Sequence, residues 1–201
     1  MYGSLETVVQ RAKALIFDFD GTLVDSNPIK LYAFEKCFSD FVEKQSEIMD
    51  YCLAHHHVSR FDKFRHVFET ILHRPYTPEW ERKMLRRYAE ETTEQVIGAP
   101  EIPGAVSFVK RWKKKKEVVL LSTTPDEILK HILARREMEH LFSVIRGAPV
   151  HKASWMDGFM RGRGLEKREV VFFGDSDEDA ESAKTAGVIF VKVEGDQTFR
   201  S

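Results

Sequence analysis

The residues in this chain best suited to chemistry are carboxylates set at the ends of apolar runs. Asp18 and Asp20 flank a single residue in Lys13-Ala14-Leu15-Ile16-Phe17-Asp18-Phe19-Asp20-Gly21-Thr22-Leu23-Val24-Asp25. The four apolar residues before Asp18, bounded by charge on one side and Asp-Gly on the other, read as a short strand buried on both faces, as parallel strands are. Open α/β sheets keep their ligands at the carboxyl ends of their strands, which is where both acids fall, and Gly21 lets the backbone turn sharply away. Two carboxylates this close repel each other in a dry pocket, so the stretch predicts a divalent cation with hard oxygen ligands. Asp, Gly and Thr are also ordinary turn residues. The full Asp-x-Asp-Gly-Thr spacing is more demanding, arising by chance in roughly a few per thousand chains of this length.

Three further stretches end in polar residues that would converge on the same edge. Val118-Val119-Leu120-Leu121 runs into Ser122-Thr123-Thr124-Pro125, which offers hydroxyls and backbone N–H groups ahead of a helix. That suits a phosphate cradle and equally a helix N-cap. Lys152 follows Gly147-Ala148-Pro149-Val150-His151; alone, a lysine is usually solvated. Phe172-Phe173-Gly174-Asp175-Ser176-Asp177-Glu178-Asp179 delivers four acids to one strand end, and clustered acid repels itself unless a cation is present. Asp177, Glu178 and Asp179 also suit a helix N-terminus, an explanation that does not reach Asp175.

The elements that must position these groups alternate. Strands are expected at residues 118–121, 142–145, 170–173 and 188–193, and helices through Ala105 to Trp112, from Asp126, and over residues 153–162 and 178–186. This pattern predicts an α/β fold, a doubly wound parallel sheet with right-handed crossovers. One block breaks it. Between Gly21 and Gly98 there is no glycine, and apolar residues recur at helical spacing, as in Leu31, Phe34, Phe38 and Phe41, then Phe61, Phe64, Val67, Phe68 and Ile71. Residues 1–25 and 100–201 are therefore expected to form the α/β core, and residues 26–99 an inserted all-helical domain. The insertion leaves the chain directly after the Asp18/Asp20 turn, so the ligand-binding end is where a lid would be attached.

Composition narrows the classes. The chain has 201 residues, of which 42% are hydrophobic, and its 31 basic and 32 acidic residues leave a formal charge of -1. No global field draws it to nucleic acid or to a membrane surface. The one basic run, Lys110-Arg111-Trp112-Lys113-Lys114-Lys115-Lys116, is expected to end a helix, where cations complement the dipole. No run approaches the roughly 18 apolar residues of a membrane span, and residues 1–11 lack the apolar core of a secretory signal. Cys37 and Cys52 are too few for a disulfide scaffold or a thiolate metal site. These features point to a cytoplasmic protein; oligomeric state has no signature.

Taken in order, the four polar strand ends resemble the motifs of the haloacid dehalogenase-like (HAD) hydrolase superfamily, and the likeness spans the chain. Asp-Phe-Asp-Gly-Thr is similar to its first motif, the apolar run ending in Ser122 to the second, Lys152 to the third, and Gly174-Asp175-x-x-x-Asp179 to the fourth. The resemblance implies that Asp18 is a nucleophile that forms an aspartyl-phosphate. It implies that Asp20 protonates the leaving oxygen and then deprotonates the attacking water. Mg2+ would be held by Asp18, the Asp20 carbonyl and Asp175, with Asp179 acting through water. Phosphate oxygens would meet Ser122, the Thr123 N–H and Lys152. An acid at position 20 favours the phosphatase branch, phosphoglycolate phosphatase-like, acting on a small-molecule phosphate ester. A phosphomutase would carry the same acid. From other classes, a phosphoaspartate receiver domain has no reason for so long an insertion after its first strand, and the completeness of the acids argues against an inactive phosphate-binding protein.

The insertion resembles the small helical cap that selects substrate in that superfamily. Its candidate contacts lie in His55-His56-His57-Val58-Ser59-Arg60-Phe61-Asp62-Lys63-Phe64-Arg65. Arg60 and Lys63 are three apart and share a helix face, suiting them to an anionic substrate or, equally, to a solvated basic face; Phe61, Phe64 and Phe68 are expected to anchor the cap core. His57 is a further substrate candidate.

Overall fold

The computed structural model describes residues 5–55 and 58–199. They fall into two compact units, one of residues up to 25 together with those from 99 onward, the other of those between 26 and 98.

The first unit is built on a five-stranded sheet of β1 (Ala14–Phe17), β2 (Glu117–Pro125), β3 (Val144–Ala148), β4 (Val170–Gly174) and β5 (Ile189–Lys192), in the spatial order β3-β2-β1-β4-β5. All its pairings are parallel, with Phe17 opposite Leu120 on one side and Phe173 on the other. β1 is therefore central, which is why every one of its residues is buried. Side-chain alternation sorts the strands between two layers. Ala14, Ile16, Val119, Leu121, Val170 and Phe172 pack with Met156 and Met160 of α8 (Lys152–Arg163) and Ala183 of α9 (Asp177–Ala186). Residues of opposite parity face the other layer. There Phe17 stacks on Phe173 with centroids 4.6 Å apart, and both meet Phe108 of α6 (Ala105–Trp112) edge-on. Helix α7 (Asp126–Arg135) follows β2 directly.

Two elements differ from the sequence-based expectation. β3 begins at Val144 rather than Phe142; it lies at the sheet edge and is only half-buried, so its apolar signal is weak. A helix absent from that expectation, α1 (Leu5–Arg11), precedes β1 and buries little beyond Val9. It is tied to the basic run: Glu6 pairs with Arg111 at 2.9 Å, and Lys116 donates to the carbonyls of Gln10 and Ala12. Arg111, Lys115 and Lys116 also lie over the Trp112 ring.

The second unit is helical: α2 (Asn27–Cys37), α3 (Gln45–Ala54), α4 (Arg60–His66), a π-helical turn (Val67–Ile71) and α5 (Pro78–Gly98). Pro28 stands in the first turn of α2, where its missing N–H costs nothing. Ser59 caps α4 by accepting the Asp62 N–H at 3.2 Å. An aromatic core of Phe34, Phe38, Phe64, Phe68 and Tyr88 fills the interior with Ile48, Val67 and Met84. Phe61 is not among these buried residues, which corrects the expectation that it anchors this core: it is only half-buried. Among the described residues no helix is long and apolar enough to cross a membrane.

Candidate active site

The first acid pair is set by how the chain leaves β1. The Asp18 N–H donates to the Phe173 carbonyl at 2.9 Å, so the strand's ladder continues one residue past β1. The chain then folds into a tight loop: the Gly21 N–H donates to Val24 at 2.8 Å, the Leu23 and Val24 N–H groups to Phe19, and Gly21 has φ 75°. A side chain at that φ is strained, so glycine is the residue the turn requires. Asp18 and Asp20 are each 6% exposed.

Lys152 meets these acids from the start of α8. Its Nζ lies 2.9 Å from Asp18 Oδ1 and 2.6 Å from Asp179 Oδ1. Asp179 is held from its other side as well, since Oδ2 accepts the Ser176 hydroxyl at 2.7 Å in a reciprocal cap of α9. Gly174 makes room for it: a Cβ there would lie 2.5 Å from the Asp179 Cβ. Asp177 and Glu178, by contrast, are exposed on the first turn of α9, where they suit the helix dipole.

Asp18, Asp175 and Asp179 each offer an oxygen, and these oxygens lie within 4.8 Å of one another. Burial pushes the Asp18 carboxyl up to about 7; Lys152 pulls it down, but Asp179, Asp20 and Asp175 push the same way as burial. Burial lowers the affinity of Lys152 for its proton, yet Asp18 and Asp179 more than reverse this, so the ammonium is held well above its ordinary range. Burial is the larger cause at Asp18, and the surplus of carboxylate over cation adds to it; at Lys152 the same carboxylates overcome burial. A hard divalent cation fits such a donor set, because it adds the positive charge the cluster lacks.

β2 supplies the hydroxyls through an irregular end. Leu121 pairs with Arg146 and Pro125 with Ala148, so β2 carries two more residues than β3 across this stretch, and such bulges re-aim side chains. Ser122 Oγ accepts the Thr124 N–H at 3.0 Å, which leaves its own proton to donate elsewhere. Thr124 Oγ1 donates to Asp20 Oδ2 at 2.9 Å. This last contact was not foreseen from the sequence, where Thr124 was only one hydroxyl in a polar run. Thr123 is half-buried beside them.

The structure thus brings together Asp18, Asp20, Ser122, Thr124, Lys152, Asp175 and Asp179. The other candidates belong to the helical unit. The Arg60 guanidinium lies 4.8 Å from the Tyr88 ring centroid. Lys63, 4% exposed, donates to the Cys52 carbonyl at 3.4 Å and lies 4.8 Å from the Phe34 centroid. Lys63 is therefore not part of a solvated face, whereas Arg60 is half-buried. His57 lies outside the described residues.

A family profile described as haloacid dehalogenase-like hydrolase matches residues 15–193. The chain is 26% identical over 185 residues to a phosphoglycolate phosphatase of Synechococcus elongatus, a match covering 90% of this chain and 83% of that one. It is 26% identical over 183 residues to phosphoglycolate phosphatase 1 of Pseudomonas aeruginosa, covering 88% and 67%. A solved hydrolase of the haloacid dehalogenase-like family from Streptococcus pneumoniae, 18% identical, superposes with a TM-score of 0.68 over 94% of this chain and 89% of that one, a likeness of fold.

Proposed function

The chain belongs to the haloacid dehalogenase-like hydrolases, and on that premise we propose that it is a magnesium-dependent phosphatase cleaving a small phosphate monoester through an aspartyl-phosphate on Asp18. The observation that carries this reading is the buried Asp18–Lys152–Asp179 bridge beside Asp20 at one sheet edge. It pairs a nucleophile with a cation that favours its ionised form.

In the first half-reaction an Asp18 oxygen bonds to phosphorus as the bond to the ester oxygen breaks, and Asp20 gives that oxygen its proton. In the second, Asp20 takes a proton from water, the water oxygen bonds to phosphorus, and the bond to Asp18 breaks. Lys152 offsets the charge of nucleophile and phosphoryl group, while the Ser122 hydroxyl and the Thr123 N–H hold phosphoryl oxygens. The carboxylates of Asp18 and Asp175 and the Asp20 carbonyl would hold Mg2+, with Asp179 in an outer role. Bound there, the ion supplies charge neutralisation on the phosphoryl oxygens. The names of the two relatives make phosphoglycolate the first ester to test. Of the cap candidates, half-buried Arg60 is the one we propose for the substrate's distal group. The two cysteines, both free thiols, suit a reducing cytoplasm.

The test is phosphate release from 4-nitrophenyl phosphate and phosphoglycolate with Mg2+, and its loss with chelator. Asp18→Asn should lower turnover by about 10⁴-fold or more and never become phosphorylated. Asp20→Asn should accumulate phosphoenzyme in rapid-quench mass measurements. Near-normal turnover by either variant would sink the mechanism. Transfer of phosphate to a second hydroxyl of the substrate, in place of release, would make the enzyme a mutase.

A further inference from the structure

We propose that Thr124 is a positioning residue for proton transfer, acting through Asp20. The inference rests on the phosphatase reading, in which Asp20 is the proton donor to the leaving group. Thr124 is 3% exposed, and its hydroxyl donates to Asp20 Oδ2 at 2.9 Å across 104 residues of sequence. Its backbone N–H simultaneously donates to Ser122 Oγ at 3.0 Å. One residue therefore fixes both the acid and the hydroxyl assigned to phosphate.

Thr124 is itself held from beneath. Gly147 of β3 donates its N–H to Asp126 Oδ1 at 2.8 Å, and a Cβ on Gly147 would stand 2.6 Å from the Thr124 carbonyl oxygen and 2.5 Å from the Asp126 Cα. The backbone carrying Thr124 has little room to shift toward β3. A side chain anchored in this way can hold the plane of a carboxyl group, which otherwise turns about two bonds. A general acid must lie within about 2.6–3.2 Å of the atom it protonates, so a fixed plane shortens the search for productive geometry. The hydroxyl proton directed at Oδ2 also disfavours a second proton on that oxygen. It biases the transferable proton of Asp20 toward Oδ1.

The prediction concerns leaving groups. Phenol is a more basic leaving group than 4-nitrophenol and needs more help from an acid, yet the two esters are close in size. Their kcat/KM values report the formation of phosphoenzyme, before water is involved. Thr124→Val, which keeps the shape and removes the hydroxyl, should lower kcat/KM for phenyl phosphate about 10- to 100-fold and for 4-nitrophenyl phosphate less than about threefold. Thr124→Ser should restore the wild-type ratio, and Thr124→Ala should repeat the Val result if Val does not fold. In an Asp20→Asn background, Thr124→Val should add nothing to the loss on phenyl phosphate. Equal losses on both esters in folded Thr124→Val or Thr124→Ala, or an undiminished effect without Asp20, would overturn the positioning role while leaving the phosphatase intact. A wild-type enzyme that releases phosphate from neither ester with Mg2+ overturns the phosphatase reading, and this inference with it.

Discussion

Each unit of the molecule buries a lysine, and the two are kept in different company. Lys152 in the core lies 2.9 Å from Asp18 and 2.6 Å from Asp179. Lys63 in the helical unit has a carbonyl at 3.4 Å and the face of Phe34 at 4.8 Å. Formal anions surround the first, whereas the contacts described for the second include a dipole and a π face. The comparison separates two ways of using an interior cation. In the core, charge answers charge, yet burial, helped by the neighbouring acids, still lifts Asp18 to about 7. In the helical unit, aromatic packing does more of the holding, with Phe34 and Tyr88 themselves in contact at 4.9 Å.

The sharpest way to break that comparison is to remove each charge while keeping its stem. Lys152→Met leaves Asp18 and Asp179 facing each other without their cation, a loss of about 3–5 kcal/mol for breaking a buried pair. Lys63→Met keeps the packing of the stem and should cost about 1 kcal/mol or less. Chemical denaturation of the two variants measures the difference. Mg2+ should return part of the stability lost by Lys152→Met and none of that lost by Lys63→Met. Equal costs would mean that the two cations are held in the same way.

A smaller effect sharpens the functional half of the comparison. Arg60 lies over Tyr88, and a guanidinium can meet an anion through several N–H groups. If it meets the distal group of the substrate, Arg60→Ala removes a charge-assisted contact of about 1.5–3 kcal/mol. That is roughly a tenfold to hundredfold fall in kcat/KM for the natural ester. A small aryl phosphate with no distal anion should hardly respond. An unchanged ratio between the two substrates would remove Arg60 from specificity.

The smallest effect is on pH dependence. Asp18 stands at about 7 in the fold against an ordinary value of 3.8, so between those values the folded chain binds more protons than the unfolded one. Its contribution to stability is fully present below the ordinary value and is lost as pH rises through about 7. Without metal, the thermal midpoint should therefore fall from pH 5 to pH 8 by a few degrees, on the order of 2–6 °C. Asp18→Asn should flatten this slope. A wild-type slope of the opposite sign would show that Lys152 outweighs the surrounding acids.

Much of this arrangement can be read from the chain. Residues 14–17, 118–121 and 170–173 became β1, the start of β2 and β4 because a strand buried on both faces must be apolar at every position, and such runs stand out. The edge strand and α1 were harder. β3 includes Arg146 and Gly147 and is half-buried, and α1 is short with little beyond Val9 to bury, so neither carries a strong period. Phe61 falls short of the core for a related reason: helical spacing shows that a face exists, but not how far round the helix burial extends, and Phe61 is left half-buried at its margin.

The site divides along the same line. The acids Asp18, Asp20 and Asp175 and the Ser122 hydroxyl stood out as candidates because each follows an apolar run, whose ends a parallel sheet collects at one edge; Lys152 stood out only through the order of the motifs. Which atoms then meet was not legible. That Lys152 bridges Asp18 and Asp179 depends on α8 and α9 packing on one face of the sheet. That Thr124 reaches Asp20 depends on β2 lying beside β1 with an irregular end. Sequence determines which residues end a strand, since that is a property of local pattern. Contacts between residues about a hundred positions apart are decided by strand order and register, and these exist only once the sheet has formed.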